Sequence, residues 1–431
     1  MARPLQVICL KLLFGCIACA PGWAQAQTLE SLIRDTLATH PSTQSQRALV
    51  ASAEAGLESA RWQFYPTPSV SLENASASAT DPLYQGDKQV ATFRLQQPLY
   101  TGGRLSAGAD KAQANLDQSQ ATQDDTRQQL ALRVVQAYGD WLGAHLKAQA
   151  NEKSEQTHTR LRDQVQRRID EGVSADSDLV LALGRLDAIR ADVTAARTQR
   201  DMALARLGQL LGRPVAHSAL APAIAPPRPV GPDVQVLLVQ AQDISPAVRR
   251  AQALARVQAA TLAERRADLS PDVYVRLERQ YGNFNFANGA PESRLFVGMS
   301  THLGAGLSTL SNVAGANSQW EAALAEVQVQ LRAVGEQVLA DHALAQSADA
   351  RLAAVQASLR SAQTVADSYD RQFLAGRKSW LDVMNAAREL AQTETLIADL
   401  LSTQVVVSWR LDFYTQGTDA ATQIRPRIPV R

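Results

Sequence analysis

The sequence predicts a mainly α fold of long antiparallel coiled-coil helical hairpins with four β-strands per chain. Three observations predict it. The first is duplication. Pro66, Val70, Leu72 and Glu73 recur as Pro271, Val275, Leu277 and Glu278 at an offset of 205; Leu99, Gly102, Gly172 and Asp178 recur as Leu303, Gly306, Gly376 and Asp382 at 204. A solenoid repeat has a period of about 20–50 residues, so this unit is a whole domain. The second is proline placement: none occurs between Pro98 and Pro214, or between Pro291 and Pro426. Because proline breaks helix interiors, both gaps permit very long helices. The third is a change of hydrophobic period from 3.6 to 2 ahead of each gap.

Residues 1–26 read as a secretory signal. Arg3 and Lys11 supply positive charge, Leu12 to Ala20 a short apolar run, and Ala24-Gln25-Ala26 a cleavage site. The run falls short of the ~20 residues of a spanning helix. Cys9, Cys16 and Cys19 all lie inside it, so cleavage leaves no thiol, which excludes thiol catalysis, redox CxxC chemistry and cysteine-based zinc sites. Leu13-Phe14-Gly15-Cys16 only loosely imitates a lipid-acceptor site, because Phe14 fits it poorly. Without the signal, 41 basic residues face 42 acidic ones, a net charge of −1. That balance points to no nucleic-acid partner.

The first repeat is expected over 27–212. Val70 and Leu72 alternate with Ser69, Ser71 and Glu73. Ala91, Phe93, Leu95 and Leu99 alternate with Thr92, Arg94, Gln96 and Pro98. A helix from about Gly103 to Gln166 would reach roughly 95 Å, with Leu130, Val134, Tyr138, Trp141 or Leu142, and Leu146 as its apolar stripe. It stops at Gly172, and a second helix restarts with Ser174 or Ser177 as N-cap. Residues 213–243, with six prolines between Arg213 and Pro232, form an extended linker. The second repeat spans 244–417. Its strands alternate through Val273, Val275 and Leu277, then Leu295, Val297 and Met299. Its long helix carries Leu331, Val334, Val338 and Leu344, and ends at Gly376; Ser379 caps the next helix. Residues 418–431 read as a disordered tail.

The strand segments match the length of a tilted bilayer crossing; the competing reading is a pair of ordinary hairpins on a soluble α+β protein. Four strands cannot close a barrel, and open edges in lipid leave backbone groups unpaired. Three copies would give twelve strands and a lumen, so a homotrimer is the favoured assembly. No catalytic chemistry is legible. Gly304-Ala305-Gly306 lacks the third glycine of a dinucleotide fingerprint, with Thr309 standing there. His40, His145, His158, His217, His302 and His342 show no metal-ligand spacing, and no hydrolase motif is present. Neither an enzyme nor a cofactor is expected.

Two segments carry a family resemblance: Gln97-Pro98-Leu99-Tyr100-Thr101-Gly102-Gly103-Arg104 and Phe373-Leu374-Ala375-Gly376-Arg377-Lys378-Ser379-Trp380-Leu381-Asp382-Val383-Met384-Asn385-Ala386. From about Leu29 to Gly417 the chain resembles the TolC family of outer-membrane channels, in its type I secretion-like branch. The resemblance implies a homotrimer with a twelve-stranded barrel in outer-membrane lipid and a helical tunnel across the periplasm of a Gram-negative bacterium. Its implied partners are a periplasmic adaptor (membrane fusion) protein and an inner-membrane ABC or RND transporter. It implies a mouth gate of Asp382, Asn385 (where some members have a second Asp) and Lys378. It also implies adaptor-docking tips at Gly172, Val173, Ser174, Gly376 and Arg377, and strand–helix junctions at Pro98, Gly102, Gly103, Gly304 and Gly306. The function so implied is a passive exit duct for substrates driven by that transporter, in type I protein secretion. The exit of a multidrug efflux pump and a soluble periplasmic coiled-coil adaptor or scaffold are the rivals.

Overall fold

The computed structural model describes residues 27–78, 81–222, 233–287, 289–301 and 308–424. The signal segment, most of the proline-rich stretch and the junction glycines Gly304 and Gly306 lie outside them.

The chain builds one layout twice. The first half runs α1 (Leu29–Thr39), α2 (Pro41–Trp62), β1 (Thr67–Asn74), β2 (Gln89–Tyr100), α3 (Arg104–Asp170) and α4 (Asp176–Leu211). The second runs α5 (Val234–Ile244), α6 (Pro246–Ala267), β3 (Asp272–Tyr281), β4 (Glu292–Ser300), α7 (Ser308–Leu374) and α8 (Trp380–Gln416). The matched helices have nearly equal lengths: 11 and 11, 22 and 22, 67 and 67, 36 and 37 residues. At 1.5 Å per residue, α3 and α7 are rods of about 100 Å.

Small residues let these rods run close together. Ala107, Ala114 and Ala121 on α3 are buried at heptad spacing, as are Ala253, Ala260 and Ala267 on α6, which packs against it. Where α3 meets α8, a Cβ on Gly139 would lie 2.2 Å from Val406 Cγ2, and one on Gly143 3.0 Å from Ser402 Oγ. The main core sits at this crossing. Leu32 and Ile33 of α1, Val134, Tyr138, Trp141 and Leu142 of α3, Leu207 of α4, and Trp409 and Phe413 of α8 fill it. Leu130, Val134, Tyr138, Trp141 and Leu142 of the expected stripe are therefore core, as is Val338, whereas Leu344 is exposed.

Two segments differ from expectation. Helix α5 starts inside the stretch read as a linker, because Leu237, Leu238 and Ala241 pack against Val338, Val407 and Leu411. It is the counterpart of α1, so the repeat begins before residue 244. Residues Thr418–Ile424, read as disordered tail, form a further helix, α9. Ala421 is buried in the main core, and Asp419 lies 2.6 Å from Arg127. Residues 425–431 lie outside the described residues.

The strands make one antiparallel sheet in the order β1-β2-β3-β4. Its register gives one mainly apolar and one mainly polar face, with Arg279 and Ser293 in the same row as Val70 and Phe93 and with Phe296 on the polar side. Pro68, Leu95, Leu277 and Leu295 form one cross-strand row, and Ser69, Arg94, Glu278 and Arg294 form the next row on the opposite face. On the apolar face Val70, Leu72, Phe93, Leu95, Leu277, Leu295, Val297 and Met299 are all exposed. On the polar face Glu278 lies 2.7 Å from Arg94 and 3.2 Å from Arg276. Pro98 sits where β2 shifts register against β3, a bulge that tolerates its missing N–H. Gly102 and Gly103 then turn the chain into α3 at φ of 61° and 89°. A side chain at Gly102 would also strike Ser270.

Gly139→Val is expected to destabilise the chain by about 1–3 kcal/mol by overpacking the α3–α8 crossing. Thermal unfolding against the unsubstituted chain checks it.

Candidate functional site

The two hairpin tips are built alike, and glycine decides where each helix ends. At the first, Gly172 adopts φ 74°; its N–H donates to the Ile169 carbonyl at 2.8 Å, and that of Val173 to the Arg168 carbonyl at 2.7 Å. At the second, Gly376 adopts φ 70°; its N–H donates to the Phe373 carbonyl at 2.9 Å, and that of Arg377 to the Gln372 carbonyl at 2.8 Å. Both are left-handed caps that satisfy otherwise orphaned carbonyls.

The following helices start differently. Neither Ser174 nor Ser177 caps α4: its N-cap is Ala175, without a side-chain bond. Asp176 and Asp178 in the first turn complement the helix dipole instead. Ser379 does cap α8, in a reciprocal box with Asp382. Asp382 accepts from the Ser379 hydroxyl at 2.8 Å and lies 3.8 Å from Lys378 Nζ. The Ser379 hydrogen bond first, and then the Lys378 charge, hold its carboxyl below the usual carboxylate range. Lys378 Nζ also lies 4.3 Å from the Tyr369 ring centre.

Lys378 and Asp382 are thus brought together, and Asn385 does something else. It is exposed one turn further along and lines a cleft of about 400 Å³ between α3, α4 and α8, with His158, Arg185, Arg388 and Gln392. Val173 is exposed at the first tip.

Sequence reading missed what holds the tips to each other. Leu161, Val165, Ala182, Phe373, Trp380, Val383, Met384 and Ala387 form a separate apolar cluster spanning both hairpins. Arg168 Nη1 donates to the Phe373 carbonyl at 3.3 Å, and its guanidinium lies 4.9 Å from the Phe373 ring centre. The available signal was the pair of large aromatics, Phe373 and Trp380, flanking a tip in an aromatic-poor chain. His158 is fully buried nearby, its Nδ1 2.9 Å from the Ser154 carbonyl. Burial pushes its pKa down, the Ser154 bond pulls partly back up, and the charge of Arg185 adds a smaller downward push.

The family model for outer membrane efflux proteins matches residues 32–213 and 237–415, nearly all of both repeats. The chain belongs to that family. It is 25% identical over 348 residues to the alkaline protease secretion protein AprF of Pseudomonas aeruginosa, covering 78% of this chain and 71% of AprF. Its fold matches the outer membrane protein VceC of Vibrio cholerae with TM-score 0.76 at 17% identity, over 90% of this chain and 96% of that one. It matches the open state of the Neisseria gonorrhoeae channel MtrE with TM-score 0.74 at 16% identity, over 91% and 90%.

The protein is a homotrimeric outer-membrane channel of tripartite systems, working with a periplasmic adaptor and an inner-membrane transporter. Twelve strands, four from each copy, close its barrel. Within a protomer α3 packs on α4, α6 and α8, and α7 packs on α6 and α8. Helices α4 and α7 are left as outer edges, where Val180, Met202, Leu324 and Leu339 are exposed.

Two outcomes are expected. Val297→Arg on the apolar face should cost about 2–4 kcal/mol at mid-bilayer depth, read as loss of heat-resistant trimers on gels, whereas Ser71→Arg should not. Because folding lowers the His158 pKa, thermal stability should be full above about pH 6.5 and decline as pH falls towards the lower folded-state value. His158→Leu should flatten that decline in melting curves taken from pH 8 to 5.

Proposed function

We propose that this channel is the exit duct of a type I protein secretion system. One observation carries the reading: the relative that aligns with 78% of the chain is named for secretion of a protease. Export of small toxic compounds is the second reading, favoured by the family's own description as efflux proteins. Deleting the gene separates them. Loss of a large secreted protein from the medium with unchanged drug sensitivity supports secretion; the reverse pattern overturns it.

The division of labour along the chain follows. Residues 27–212 and 244–417, with α5 joined to the latter, supply barrel and tunnel, and residues 213–233 connect them. Gly172, Val173, Ser174, Gly376 and Arg377 dock the adaptor. Asp382 from three copies rings the closed mouth, with Lys378 as its basic partner and Asn385 one turn behind. Three carboxylates held ionised at one level form a cation filter. The capping box supports this role, because it fixes the carboxyl in place and keeps it charged. The Arg168–Phe373 contact ties the two hairpins of each copy and resists their parting.

Asp382→Asn should weaken divalent-cation block of single channels while trimers persist; unchanged block would place Asp382 off the ion path. Arg168→Ala should raise spontaneous conductance in planar bilayers several-fold.

A further inference from the structure

Away from the tips, beside the main core, the fold joins two histidines that lie 72 positions apart in sequence. His145 is on α3. His217 begins a short 3₁₀ turn, His217–Ala219, in the connector between the repeats. Their ring centres are 4.5 Å apart. Trp141 lies flat against His145, with centres 5.4 Å apart and planes within 1°, and its ring centre is 5.9 Å from that of His217.

Three ring nitrogens here are buried without a hydrogen-bond partner: His145 Nδ1, His217 Nδ1 and Trp141 Nε1. His145 is only 8% exposed and Trp141 is fully buried. A buried polar atom left unpaired costs roughly 1–3 kcal/mol, and three in one spot point to a missing partner. That partner must satisfy two imidazole nitrogens together. Imidazole suits zinc, copper and nickel. With metal–nitrogen bonds of about 2.0–2.1 Å, two imidazoles on one ion have ring centres about 4.5 Å apart at a right angle and about 5.2 Å apart at the tetrahedral angle. We propose that His145 and His217 bind one divalent transition-metal ion, which staples the inter-repeat connector to α3.

The remaining positions on the ion fall to water, and the Trp141 indole N–H is the donor available to such a water. The staple lies where the connector is already held. Leu220 forms a bridge with Gln27 at the start of the described chain, and Tyr138 donates to the Ala221 carbonyl at 2.5 Å. A bond from α3 to His217 would complete that seam just before the proline-rich stretch.

The test uses the mature trimer in detergent, stripped with EDTA and titrated with zinc chloride by calorimetry at pH 7.5. One ion per protomer is expected, with affinity reduced at least tenfold by His145→Gln and by His217→Gln. His40→Gln is the control: the His40 ring is engaged with Ser42 at 2.7 Å, and its loss should change nothing. Zinc binding that survives both substitutions, or no binding at millimolar zinc, overturns the proposal. Should a variant fail to assemble, anomalous scattering at the zinc edge from crystals of the unsubstituted trimer decides. A peak between the two rings supports the site, and its absence there overturns it.

Discussion

Everything in this molecule follows from the two unpaired edges of its sheet. Strand β1 pairs only with β2, and β4 only with β3. In water such edges are a hazard, and in hydrocarbon each unpaired group costs several kcal/mol. The face of the sheet is equally demanding, because a continuous layer of Val, Leu, Phe and Met is left bare. Lipid satisfies the face and copies of the same chain satisfy the edges. Closure by three copies then fixes a three-fold axis.

The helical wall inherits this constraint. Each strand pair hands over to a rod of about 100 Å, so a small angular error at the junction would become a large displacement at the tip. At the β2–α3 junction a proline bulge, two glycines at positive φ and the close approach of Gly102 to Ser270 leave few alternatives. Alanine and glycine at the crossings keep the rods close enough to be held by packing. Near the tips, an apolar cluster and the Arg168–Phe373 contact join the two hairpins.

Charge is used sparingly and locally. Asp382 is kept ionised by its own helix cap, not by a distant network. On the sheet, Arg94 and Arg276 share the single carboxylate of Glu278 on the polar face, the one turned from lipid. His158 is buried among helices and burial pushes its pKa down, so acid acts against the folded wall at that level.

The sequence by itself determined the duplication, the four strands with their faces, the long rods and the residues at which they end. These are properties of neighbouring residues: a period, a missing proline, a glycine after a run of helix formers. It did not reveal α5 as the start of the second repeat or α9 as structure, because both short helices are stabilised by distant packing partners more than by their own pattern. Nor did it reveal that Ala175 rather than a serine starts α4, since a favourable first-turn charge can replace a side-chain cap. The Arg168–Phe373 contact and the meeting of His145 with His217 were equally hidden. Both join residues far apart in the chain, and only the tertiary structure, by aligning two hairpins and folding the connector back on α3, decided that they would touch.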